Sequence, residues 1–140
     1  MAWVVDTCLL LDVGLDDPGF GRRSEALLQE KVGAGLLVCP VTFVELAPAF
    51  GGDLSALRQF LVGIPVGFEE VWQAGDTEAA ARAWARHIGR KRAGRENRRP
   101  VADVLIGAFS LRFEGLLTRN GADFHRLFPK LKVVAPRRHG

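Results

Sequence analysis

Residues 2–10 read Ala2-Trp3-Val4-Val5-Asp6-Thr7-Cys8-Leu9-Leu10, and they decide the fold. Residues 2–5 are apolar without polar alternation, the pattern of a strand covered on both faces. The run stops at an acid, and residues 7–15 follow without a turn signal, reading as a short helix. The same grammar recurs downstream. Leu36-Leu37-Val38-Cys39 is a second buried strand ended by Pro40, Leu116-Leu117-Thr118 a third, and Lys132-Val133-Val134 a fourth. Between them lie helical patterns. Residues 22–32 carry Ala26, Leu27, Leu28 and Val32 at amphipathic spacing. Residues 41–50 tolerate Pro48 only near an end, and residues 54–62 follow Asp53 as an N-cap. A long helix capped by Asp76 runs through Ala79, Ala80, Ala81, Ala83, Trp84 and Ile88, and another spans residues 103–113. Residues 64–68 read as a short extended segment. Buried strands alternating with helices predict an α/β chain, a mainly parallel sheet with helices on both faces.

The 140 residues suit one domain, with 48% hydrophobic and 25% charged residues, the balance of an ordinary globular chain. The expected division is a single domain over residues 1–136 and a short basic tail over 137–140. No apolar run reaches the roughly 18 residues that span a bilayer, and residues 1–6 lack a basic leader region. The expectation is therefore no membrane and a cytoplasmic location. Cys8 and Cys39 are too few for a disulfide framework and read as reduced core thiols. The net charge of +3 conceals a split: residues 1–81 hold 4 Lys/Arg against 12 Asp/Glu, and residues 82–140 hold 15 against 4. A polyanion is the natural partner of the second half.

Three strands are followed closely by an acid: Asp6, Glu45 and Asp123. Sites in open parallel sheets gather at the carboxyl ends of strands. Asp103 opens the helix that leads into the third strand and can face the same edge. Each acid also has a plain structural reading. Asp6 and Asp123 could cap helices, Asp103 could favour a helix dipole, and Glu45 could lie on a solvated face. Glu45 has apolar neighbours (Phe43, Val44, Leu46, Ala47), which makes the last reading uncomfortable.

Four blocks, in order, resemble PIN-domain proteins. They are Val4-Val5-Asp6-Thr7-Cys8-Leu9-Leu10, Thr42-Phe43-Val44-Glu45-Leu46, Ala102-Asp103-Val104-Leu105-Ile106-Gly107-Ala108, and Leu116-Leu117-Thr118-Arg119-Asn120-Gly121-Ala122-Asp123-Phe124. The chain looks most like the VapC-type toxin ribonucleases. The resemblance implies a PIN-like α/β/α sandwich and an acidic cluster of Asp6, Glu45, Asp103 and Asp123 that is both catalytic and metal-binding. Thr7, Thr118 and Asn120 would be its polar support. It also implies Mg²⁺ or Mn²⁺, hydrolysis of RNA phosphodiesters, a cognate antitoxin protein and a possible homodimer. Some relatives carry a further acid shortly before the third carboxylate, where this chain has Asn97-Arg98-Arg99.

The chemistry agrees with that implication. Mg²⁺ and Mn²⁺ take oxygen ligands, and a cation relieves the repulsion among clustered carboxylates. Arg90, Lys91, Arg92, Arg95, Arg98 and Arg99, preceded by Arg82 and Arg86, form the expected RNA-phosphate surface. Trp84 at helical spacing among alanines reads as core before it reads as a base-stacking platform. A DNA nuclease would share this chemistry, since carboxylate-bound metals serve both nucleic acids, and two further functions differ from it. One is a PIN-like module that binds nucleic acid or protein without cutting. The other is a phosphatase with an aspartate nucleophile, which usually has a second Asp two residues later, where this chain has Cys8.

Overall fold

The computed structural model describes residues 1–92 and 100–137. Its elements run β1 (Trp3–Val5), α1 (Thr7–Gly14), α2 (Gly21–Lys31), β2 (Leu36–Leu37), α3 (Pro40–Leu46), α4 (Leu54–Gly63), α5 (Ala74–Arg92), α6 (Pro100–Ser110), β3 (Gly115–Leu117), α7 (Gly121–Leu127) and β4 (Val133–Val134). Single 3-10 turns follow α2 and α3. All strand pairs are parallel, in the order β2-β1-β3-β4. The chain is an α/β/α sandwich with a parallel sheet, as expected.

The strands are continuously apolar because each feeds two cores. In β1, Val4 packs with α5, α6 and α7, while Trp3 and Val5 pack with α1, α2 and α4. Leu37 and Leu116 join the first cluster, and Leu36 and Leu117 join the second. This alternation is the period-2 side-chain geometry of a strand. A one-residue slip would exchange every partner.

Local signals set the helix starts. Asp6 caps α1 through Thr7 N–H, and Asp53 caps α4 through Ala56 N–H at 3.1 Å. Pro40 opens α3, where its missing N–H costs nothing. Gly51 and Gly52, at φ 62° and 79°, take the left-handed turn after the 3-10 segment Ala47–Phe50.

Several expectations need correction. Asp76 does not cap α5: the helix begins at Ala74, and the carboxylate reaches back to accept Gln73 N–H at 3.0 Å. The second strand is shorter than residues 36–39. Only Leu36 and Leu37 pair with β1, and Val38 N–H donates instead to Gly67 O at 2.9 Å. Residues 64–68 lie along the sheet edge as the expected short extended segment: Gly67 bridges Leu37 in parallel, its N–H donates to Leu36 O at 2.8 Å, and Val66 is buried with Val5 and Leu36. Among the described residues, no helix is long and apolar enough to cross a membrane.

Candidate active site at the carboxyl edge of the sheet

From β1 the chain moves to β2 on one side, then returns to place β3 on the other. The carboxyl ends of β1 and β3 therefore flank a topological switch point, the place where open parallel sheets bind ligands. Asp6 and Thr118 are the residues that leave those two strands. Asp6 N–H donates to Leu117 O at 2.9 Å, which holds the two exits side by side.

Asp6 is fully buried. Its Oδ1 accepts from Thr7 N–H at 2.8 Å, and its Oδ2 accepts from the Thr118 hydroxyl at 2.7 Å. The Cys8 thiol donates to the same Oδ2 at 3.4 Å. Thr118 Oγ1 in turn accepts Asn120 N–H at 3.0 Å. Asn120 thus supports the site through its backbone, and its side chain makes no capping bond to α7.

A second chain of contacts leads to α3. The Thr7 hydroxyl donates to Glu45 Oε1 at 2.6 Å and lies 3.0 Å from the Thr42 hydroxyl. A hydroxyl has one proton, so with that proton on the carboxylate, Thr7 accepts from Thr42. Consecutive residues Asp6 and Thr7 therefore tie β3 and α3 to one point. The plain capping reading of Asp6 holds as well, since one oxygen caps while the other faces Thr118.

Asp103 is buried in the first turn of α6. A short turn joins α6 to β3, and the helix packs against both β3 and α3. The helix thus runs back along the strand, and its first turn lies toward the carboxyl edge. Asp123 is half-exposed on α7, 3.3 Å from Arg126. The structure therefore joins Asp6, Thr7, Thr118 and Glu45 by direct contacts, while Asp103 shares their edge by topology. Among the described residues, no three His, Cys, Asp or Glu side chains converge as a metal-holding group. The donor chemistry nonetheless fits a hard divalent cation, because the acids at this edge offer oxygen only.

Sequence reasoning missed several members. Thr42 stands in the second PIN-like block, with no role assigned to it by the sequence. Cys8 packs against the core as expected, but it is part-exposed and its thiol also touches Asp6. Burial, then the Asp6 charge, push this thiol up to about 12. Asp12, one helical face along α1, is buried and accepts from Ser24 Oγ at 2.8 Å and from Arg119 Nε and a terminal guanidinium nitrogen at 2.8 and 3.0 Å. A lone Asp inside Leu9-Leu10-Leu11-Asp12-Val13 was the available signal, since a buried acid needs partners.

The expected RNA surface is only partly visible. Arg82 makes a 3.9 Å pair with Glu78, and Arg86 donates to Leu127 O at 3.2 Å. Arg95, Arg98 and Arg99 lie outside the described residues, as do the side chains of Arg90, Lys91 and Arg92. Trp84 packs against the core beside the buried His87, with ring centroids 5.5 Å apart. Comparison with protein-family models and with curated proteins gives no match for this chain.

Proposed function

We propose that the chain is a metal-dependent endoribonuclease that hydrolyses RNA phosphodiesters, acting as the toxin of a toxin–antitoxin pair. One observation carries the reading: a wholly buried carboxylate, Asp6, lies at the switch point of a parallel sheet, gripped by Thr7 and Thr118, with Glu45 tied in through Thr7. Burying an acid at a strand end is costly. A capping role alone does not require the second grip by Thr118.

Asp6 and Asp103, with Glu45 and Asp123, are the residues that would hold Mg²⁺ or Mn²⁺. Such an ion, when bound, eases deprotonation of water and offsets charge on the phosphate. The remaining tasks fall to the chain itself. Thr118 fixes the rotation of the Asp6 carboxylate, and Thr7 fixes that of Glu45. Hydrolysis joins a water oxygen to phosphorus, breaks one ester P–O bond and requires an acceptor for the water proton. Glu45, partly buried and oriented by Thr7, suits that task. The basic run from Arg90 to Arg99 would hold flanking phosphates by charge. A cognate antitoxin protein and a second copy of the chain are the protein partners this reading implies, in the cytoplasm.

The test is incubation of the purified chain with a mixed RNA pool, with and without Mn²⁺, followed by sequencing of the RNA ends. Discrete new ends that need the metal are expected. RNA binding without cleavage, in folded protein supplied with Mn²⁺, would instead favour the non-catalytic binding module.

A further inference from the structure

We infer that Arg119 is a positioning residue, which holds Thr118 on the Asp6 carboxylate by anchoring the exit of β3 to Asp12. This inference rests on the ribonuclease reading and assigns a new residue to the same site.

Three consecutive residues leaving β3 meet the acid edge. Thr118 Oγ1 donates to Asp6 Oδ2, the Arg119 backbone amide approaches the Cys8 sulfur, and Asn120 N–H donates to Thr118 Oγ1. The middle one carries the anchor. Its guanidinium grips Asp12 with two nitrogens at 2.8 and 3.0 Å, and lies over the Phe20 ring, 4.1 Å from the centroid. Asp12 is buried on α1, the helix that Asp6 caps. Ser24 on α2 closes the arrangement with a third donated bond to Asp12 at 2.8 Å.

The β3 exit is therefore held twice against one helix. Thr118 meets the start of α1, and Arg119 meets a residue nearly two turns later. Two nitrogens on a carboxylate fix direction as well as distance, which a single ammonium does not do. Two of the five guanidinium N–H groups of Arg119 are committed to Asp12, which fixes its place beside the site. Its effect reaches the reaction through Thr118.

Arg119→Ala would strand the buried Asp12 charge and could unfold the chain, so two gentler variants serve. Arg119→Lys keeps the charge and loses the fork. Asp12→Leu with Arg119→Met replaces the pair by apolar groups of similar size, an exchange that folds often tolerate. In each variant that melts as a folded protein, Mn²⁺ affinity from metal-dependent melting shifts should fall about 10- to 100-fold. In the RNA assay kcat should drop while KM holds. Adding Thr118→Val provides the decisive cycle. If Arg119 acts through Thr118, Arg119→Lys should have little further effect on Mn²⁺ affinity in the Thr118→Val background. Additive losses, or a folded apolar pair with unchanged affinity and kcat, would overturn the positioning role and leave the ribonuclease reading intact. A folded wild-type chain that neither binds Mn²⁺ nor cuts RNA would remove the reading itself, and this inference with it.

Discussion

Two corners of this molecule are built from the same parts. In one, Arg112 Nε donates to Asp76 Oδ1 at 2.8 Å and a terminal nitrogen donates to Oδ2 at 2.9 Å. In the other, Arg119 grips Asp12 with nearly the same distances. Both acids are buried, both guanidiniums lie over phenylalanine rings, and a thiol sits near each pair. In both corners the acid holds the arginine's charged form and raises its pKa. At Arg112 the hydrogen bond to Asp76 is the largest influence. At Arg119 desolvation opposes the charge, and the bonds and charge of Asp12 outweigh it. The difference is where the pairs stand. Asp76–Arg112 joins the start of α5 to the turn after α6. Asp12–Arg119 joins α1 to the carboxyl end of β3, beside Asp6. Similar electrostatics should therefore serve stability in both corners and chemistry in one.

The largest expected effect is on stability. Arg112→Ala and Arg119→Ala should each lower unfolding free energy by roughly 3 kcal/mol in denaturant titrations, because each leaves a buried carboxylate uncompensated. That is the low end for such pairs, since the guanidiniums are 25% and 30% exposed. The comparison breaks if Arg112→Lys, in folded protein, reduces RNA cleavage as much as Arg119→Lys.

The thiols sharpen the same comparison. Burial is the main cause that pushes both Cys8 and Cys39 up to about 12. At pH 8 the thiolate fraction of each should be about a thousandfold below that of an ordinary thiol, and alkylation of native protein should slow in proportion. The sign for stability follows. Because the folded state favours the protonated thiols, their contribution is complete below the unfolded value of 9.0 and is lost as pH rises from there toward about 12. Alkaline melts of Cys39→Ala should show a shallower loss than wild type. Fast alkylation of either thiol at pH 8 in native protein would contradict this.

The smallest effect concerns Asp123. Its pair with Arg126 is half-exposed at 3.3 Å, so Asp123→Asn should cost less than about 1 kcal/mol. If Asp123 belongs to the acid cluster, cleavage should nevertheless fall well beyond what that stability change explains. Unchanged cleavage would remove it from the site.

The sheet was legible because its strands are buried on both faces, which leaves Val4-Val5 and Leu116-Leu117 as unbroken apolar runs. The acid that ends the first run marks the candidate site for the same reason, while Thr118 enters only through the PIN-domain resemblance. What was not legible depended on distant partners. Asp12 and Arg119 stand 107 residues apart, and nothing local to either names the other. Cys8 looked like core because its neighbours are apolar, while its contact to Asp6 arises from the first turn of α1. Asp76 carried a genuine helix-start signal, but the acid sits inside the first turn and reaches back. Arg82 and Arg86 read as phosphate contacts by charge density, and their local partners, Glu78 at 3.9 Å and the Leu127 carbonyl, are set by the fold and not named by the sequence.

The most direct test of the central claim is Asp6→Asn, followed by thermal melting and RNA cleavage in parallel, with EDTA and with Mn²⁺. Asn caps helices about as well as Asp, so the variant should fold and melt cooperatively in EDTA. The account predicts that Mn²⁺ raises the melting temperature of wild type far more than that of the variant, and that cleavage is abolished in the variant. Equal Mn²⁺ stabilisation of the two proteins, with cleavage retained by folded Asp6→Asn, would contradict it.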